Sequence, residues 1–129
     1  MRKYLRRKIV PLAELLDIFK ELQFENCLDV GAGTGLFLEF FYENKVIRKG
    51  IGTEINCNYF RKINDDLYIA GIDEIKKEKF DLIIFNDVLH HVTNKKDFIE
   101  KYIDSYLKNG GCIFVKEMND RNLLCKYFN

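Results

Sequence analysis

The chain has no tryptophan, one proline and two histidines in 129 residues, and its four cysteines form no CxxC pair. Each scarcity excludes something. With only Pro11 to interrupt them, long regular elements are permitted. Cys27, Cys57, Cys112 and Cys125 are scattered, with no histidine at ligand spacing, which argues against zinc or any other metal. No run approaches the roughly 20 apolar residues of a membrane span. Pro11 and Glu14 interrupt the segment after the N-terminus before it can form the core of a signal peptide. A cytoplasmic location is therefore expected, and in a reducing compartment the thiols stay free. Cys27 and Cys112 open apolar runs and read as small core residues. The formal net charge of +1 supplies no whole-molecule field for nucleic acid or an anionic membrane. Arg2, Lys3, Arg6, Arg7 and Lys8 are a local exception, read as the solvated basic end of a helix or arm in preference to an RNA contact. No RNA-binding motif accompanies them, so a nucleic-acid partner is unsupported.

What is present describes a globular protein: 47% hydrophobic and 32% charged residues. A chain of this size buries roughly two-thirds of its unfolded surface around one core, and residues 1–129 read as a single domain. Leu12, Leu15, Leu16, Phe19 and Leu22 repeat at helical spacing after Pro11. The run 27–30 reads as a strand, followed by a helix from about Gly35 with Leu36, Phe37, Phe40 and Phe41 on one face. Residues 50–54 form a second strand, 56–63 a second helix and 67–70 a third strand. Residues 73–79 are a short helix or loop, and 80–85 a fourth strand, apolar enough to be covered on both faces. Thr93 or Asn94 caps a helix through Leu107, stopped by Asn109-Gly110-Gly111, and residues 112–115 open a fifth strand. Alternating strands and helices imply an α/β architecture with a parallel sheet and helices on both faces. In such sheets ligands bind at the carboxyl ends of the strands, here just after Val30, Gly52, Ala70 and Phe85.

Those positions hold the residues that carry chemistry. Gly31, Gly33 and Gly35 follow the first strand, where a sharp bend lets a ligand approach the backbone, and the next helix begins with its positive end facing that ligand. Glu54 ends the second strand, about 20 residues further on, where an acid binds ribose hydroxyls. A dinucleotide fingerprint needs a third glycine at position 36, which is Leu36, so a nicotinamide-dependent oxidoreductase is disfavoured.

Four collinear segments resemble the class I S-adenosylmethionine-dependent methyltransferase family, in particular its small-molecule members. They are Leu28-Asp29-Val30-Gly31-Ala32-Gly33-Thr34-Gly35, Gly52-Thr53-Glu54, the stretch from Phe80 to Val92 with Asn86-Asp87-Val88-Leu89-His90-His91, and Leu107-Lys108-Asn109-Gly110-Gly111 with Asn109 in place of proline. The resemblance implies a Rossmann-like three-layer sandwich with a mostly parallel sheet of about five strands in the order 3-2-1-4-5. It implies S-adenosylmethionine as cofactor and a small-molecule acceptor. By the same resemblance Gly31, Ala32, Gly33 and Gly35 pack against the methionine moiety, Asp29 positions its amino group and Glu54 accepts both ribose hydroxyls. Asp73 is the nearest acid for the adenine amino group, although Ile72 holds the first position to inspect. Asn86 and Asp87 border the reactive methyl. Little else is required, because methyl transfer draws most of its rate from holding nucleophile, methyl and sulfur in line. A base is needed only for an acceptor that must lose a proton, with Asp87, His90 and His91 as candidates, Asp87 and His91 being the pair assigned. The competing reading of the histidines is structural.

The chain ends before the family's last two strands. The edge at Val115 is then expected to stand open, a site for pairing with a second copy to form a homodimer. Leu123, Leu124, Tyr127 and Phe128 are too apolar for a solvated tail and are expected to cover the sheet, pack on that copy or begin a helix. A shortened piece of a longer protein and an unusually short protein fit equally. The alternative function is a cofactor- or partner-binding module without catalysis of its own.

Overall fold

A computed structural model describes residues 3–8, 17, 19, 21–75, 78–116 and 122–127, the first and last of these segments as backbone. In chain order the elements are β1 (Lys3–Lys8), β2 (Phe24–Val30), α1 (Leu36–Glu43), β3 (Ile47–Thr53), β4 (Arg61–Lys62), β5 (Leu67–Ala70), β6 (Phe80–Asn86), α2 (Lys95–Tyr106), β7 (Leu107–Lys116) and β8 (Asn122–Tyr127). Single 3₁₀ turns lie at Cys57–Tyr59, Ile72–Ile75 and Leu89–His91. Among the described residues the strands make one sheet in the order β1-β8-β7-β6-β2-β3-β5-β4.

The five strands read from the sequence are the parallel centre of this sheet, β5-β3-β2-β6-β7, in the expected 3-2-1-4-5 order. β6 can lie inside the sheet, between β2 and β7, because its side chains are apolar on both faces. Leu82 and Ile84 join Cys27, Phe41, Cys112 and Phe114 in one core, while Ile83 and Phe85 join Leu28, Val30, Ile51 and Ile113 in the other. The first core is aromatic. Phe19, in helical conformation, meets Phe24, Phe41 and Phe114 at centroid distances of 6.1, 5.2 and 5.4 Å. Gly52 has no side chain, so the loop after β2 can lie on β3: a Cβ there would stand 2.5 Å from that of Ala32. The amino ends of β2 and β6 are tied by Asp81, whose carboxylate accepts from the amides of Glu25 and Asn26 at 2.8 and 2.9 Å.

Several expectations need correction. The sheet has more strands than five, and the edge at Val115 is not open. β8 pairs antiparallel with β7, Val115 opposite Leu124, and β1 pairs antiparallel with β8. The tail thus continues the sheet and removes the edge on which pairing with a second copy rested. The basic segment is a strand in place of a helix or arm. The helix expected at 56–63 is replaced by a 3₁₀ turn and β4, which pairs with Tyr68 and Ile69. Asn and Asp side chains compete for backbone groups and favour turns. Asn56 accepts from the amide of Asn58 at 3.0 Å, and Asn64 from that of Asp66 at 2.8 Å. Leu36 is 73% exposed, and Leu38 takes the buried place beside Phe41. α2 is capped by Asn94, which accepts from the amide of Asp97, but it stops at Tyr106. Leu107 is already extended and paired with Phe80, so Asn109-Gly110-Gly111 lies within β7. Of the expected first helix, Leu12, Leu15 and Leu16 lie outside the described residues, as do Arg2, Phe128 and the Cys125 side chain. Among the described residues no helix is long and apolar enough to cross a membrane.

Phe41 is fully buried and its ring touches those of Phe19, Phe37, Phe40 and Phe114. Phe41→Ala is expected to lower unfolding free energy by about 3–5 kcal/mol, read by urea denaturation. A loss below about 1 kcal/mol would show that this aromatic cluster is not a close-packed core.

Candidate active site

The carboxyl ends of β2, β3, β5 and β6 open on one cavity of about 840 Å³. Its wall includes Thr53 at the end of β3, and Gly31, Glu54, Asp73, Asp87 and His91 from the segments after those four strands. Parallel pairing produces this convergence: Val30 stands opposite Thr53 on one side and Phe85 on the other, and Thr53 opposite Ala70.

The loop from Gly31 to Gly35 is held by its own backbone. The amides of Gly31 and Ala32 donate to the carbonyl of Thr53 at 2.9 and 3.0 Å, and the amide of Gly35 donates to the carbonyl of Ala32 at 3.0 Å. The amide of Gly33 donates to Oε2 of Glu54 at 2.8 Å. Gly31, Gly33 and Gly35 all have positive φ, of 69°, 59° and 89°. At Gly35 the requirement is double, because a Cβ would also stand 2.9 Å from Ile63 and 3.1 Å from Ile69. Gly35 caps α1, whose first turn opens toward the loop. From the other side Arg61 donates to the carbonyl of Thr34 at 2.7 Å.

Asp29 lies behind this loop, almost fully buried. Among the described residues its Oδ1 has no hydrogen-bond partner. Burial first, and the neighbouring charge of Glu54 second, push its carboxyl up to about 7. A second unusual acid closes β6. Asp87 has φ 55°, its amide donates to the carbonyl of Lys116 at 2.7 Å, and its Oδ2 lies 3.8 Å from Lys116 Nζ. Oδ1 of Asp87 and Oδ1 of Asn86 are buried without a partner among the described residues.

Of the residues singled out in the sequence, Gly31, Glu54, Asp73, Asp87 and His91 share the cavity wall, while Asp29, Ala32, Gly33, Gly35 and Asn86 are not part of it. His90 is exposed, and its ring lies tilted by 45° against that of His91 at a centroid distance of 3.9 Å. Sequence reading missed the apolar part of the wall. Ile55, Phe60 and Ile72 line the cavity although each is exposed, a surface suited to a planar ring. The available signal was position: Ile55 and Ile72 each stand two residues past a strand end.

A family model described as a methyltransferase domain matches residues 1–126. The chain belongs to this methyltransferase-domain family. Among its relatives, malonyl-[acyl-carrier protein] O-methyltransferase 2 of Ilyobacter polytropus is 32% identical over 114 residues, covering 79% of this chain and 43% of that protein. A ubiquinone biosynthesis O-methyltransferase of Pelagibacter ubique is 28% identical over 125 residues, covering 91% and 52%. The chain spans about half or less of the length of these curated relatives. In structure it is similar to the N-methyltransferase NodS of Bradyrhizobium japonicum bound to S-adenosylhomocysteine, with a TM-score of 0.66 and 15% identity over 91% of this chain and 84% of that one. At that identity the likeness is one of fold, and it makes the sheet of this family member Rossmann-like.

The buried acid gives a pH signature with a definite sign. Asp29 binds its proton more tightly folded (about 7) than at its ordinary 3.8. Its contribution to stability is therefore full below pH 3.8 and is lost as pH rises to about 7. Asp29→Asn removes this dependence. The stability of the variant relative to the native chain is expected to rise by up to about 4 kcal/mol between pH 4 and pH 8, by urea denaturation at each pH. An equal difference at both pH values would exclude a buried, uncompensated carboxyl.

Proposed function

We propose that residues 1–129 form one S-adenosylmethionine-binding domain that transfers a methyl group to a small-molecule acceptor. The observation that carries this reading is the Gly33–Glu54 hydrogen bond, which joins the glycine bend and the strand-end carboxylate over one cavity. The donor set fits the cofactor. Oδ1 of Asp29 lacks a partner among the described residues and matches an ammonium, the first turn of α1 suits a carboxylate, and Glu54 faces the cavity as a ribose acceptor. Ile55 and Ile72 offer apolar contact to adenine, with Asp73 beside them for its amino group. When bound, the cofactor supplies a methyl on a sulfonium whose leaving group is a neutral thioether. The chain's own part is to orient and to keep water out, with Asp87 and His91 at the wall where an acceptor proton would be received. The two O-methyltransferase relatives support testing oxygen acceptors first.

A second reading is a cofactor- or partner-binding module without turnover. The two readings separate on activity across a panel of acceptors.

S-adenosylmethionine at a hundredfold excess over Kd is expected to stabilise the native chain by about 2.7 kcal/mol, raising its thermal midpoint. Glu54→Ala should abolish the shift, since it removes the ribose acceptor and the partner of the Gly33 amide. A native chain that gives no shift overturns the proposal. Affinity should also depend on pH: Asp29 must shed its proton to pair with an ammonium, so binding tightens up to about pH 7. Calorimetry from pH 5 to 7.5 checks this, and a flat profile would remove Asp29 from the ammonium site.

A further inference from the structure

We propose that Arg61, in β4, is a positioning residue that holds the loop from Gly31 to Gly35 in the shape that receives the amino-acid end of the cofactor. The inference deepens the methyltransferase reading and rests on it for the word cofactor. The loop is laid across the sheet. Gly52 lets it pass over β3, and Gly35 brings it down on Ile69 of β5 and on Ile63, just beyond β4, where a Cβ would stand 3.1 and 2.9 Å from those side chains. On the β3 side the amides of Gly31, Ala32 and Gly33 are taken by Thr53 and Glu54. The Thr34 carbonyl follows those anchors in the chain. Arg61 Nη2 donates to it at 2.7 Å, across 27 positions of sequence.

That bond has a firm base because β4 is itself fixed. Arg61 pairs with Ile69 and Lys62 with Tyr68, and the amides of Ile63 and Asn64 donate to the carbonyl of Leu67 at 2.9 and 3.2 Å, closing the turn between β4 and β5. The turn and strand that replace the expected helix over 56–63 thus give the loop an anchor that β3 does not supply. Glu39, in the first turn of α1, lies 3.9 Å from the same Nη2, beyond hydrogen-bond range, so the bond to Thr34 is the directional one. Arg61 is not part of the cavity wall, and its effect on a ligand passes through the loop or through charge, which can be separated. Thr34 precedes Gly35, the cap of α1. Releasing its carbonyl loosens the first helical turn, where a carboxylate is expected, and leaves the Gly33–Glu54 bond at the ribose end in place.

The test uses the full chain and two probes, S-adenosylhomocysteine and 5′-methylthioadenosine, which share the adenosine and thioether and differ in the amino-acid end. Calorimetric titration is expected to show that Arg61→Met weakens S-adenosylhomocysteine about fivefold, the size of a partly exposed charge-assisted hydrogen bond, and methylthioadenosine by less than about twofold. Arg61→Lys should recover most of the loss, and Glu39→Gln added to Arg61→Met should recover none. The Arg61 side chain is 47% exposed, so the variants should fold, which an unchanged thermal midpoint checks. Hydrogen exchange of the Gly35 amide, followed by NMR without ligand, should be several-fold faster in Arg61→Met. An unchanged exchange rate, an unchanged affinity for S-adenosylhomocysteine, an equal loss for both probes, or no recovery with lysine overturns the proposal. Full recovery on Glu39→Gln also overturns it, because the effect is then one of charge. Failure of the native chain to bind S-adenosylhomocysteine sinks the cofactor reading, whereas the exchange rate measured without ligand decides whether Arg61 holds the loop.

Discussion

The 2.8 Å hydrogen bond from the Gly33 amide to the Glu54 carboxylate is the constraint on which the rest of the site depends. It joins the loop after β2 to the residue after β3, and it has no meaning unless those strands run parallel and adjacent. The pairing of Val30 with Thr53 provides that adjacency, and two further amides of the same loop close on the Thr53 carbonyl. A loop fixed at three backbone amides and carrying positive φ at its glycines has little freedom left. Its shape therefore exists before any ligand arrives, which lowers the cost of ordering on binding.

Stability is given up around that loop. Asp29 sits almost fully buried with an oxygen lacking a partner among the described residues, next to the charge of Glu54. Asn86 and Asp87 repeat the pattern at the end of β6, there with a left-handed backbone at Asp87. Buried polar atoms without partners are rare in folded proteins because each forfeits its hydration. Both instances here lie at the carboxyl ends of neighbouring strands, around one cavity. At the amino end of β6, by contrast, Asp81 is satisfied by two amide donors from β2.

The crossovers near the cavity are short. Between β3 and β5 the chain makes one 3₁₀ turn and the two residues of β4, and a second 3₁₀ turn follows β5. Ile55, Phe60 and Ile72 are consequently left at the cavity wall. On the far side of the sheet the opposite has happened. β8 and β1 extend it beyond β7, so that strand is hydrogen-bonded on both sides.

Local pattern was enough for the parallel centre and for the loop. The apolar run of β6, the glycines after Val30 and the capping Asn94 each owe their state to residues within a few positions, and each is found where the sequence indicated. The same holds for Glu54, whose place at a strand end is a matter of spacing. What lay outside reach was decided by partners distant in the chain. Residues 56–63 form a turn and a strand because β5 offers an edge, and Leu107 is extended because Phe80 pairs with it. The tail becomes β8 because β7 leaves hydrogen-bonding groups to be met. The charge state of Asp29 and the meeting of Lys116 with Asp87 likewise follow from burial and strand adjacency. Sequence determines what a segment can pair with; only the assembled sheet decides which partner is there.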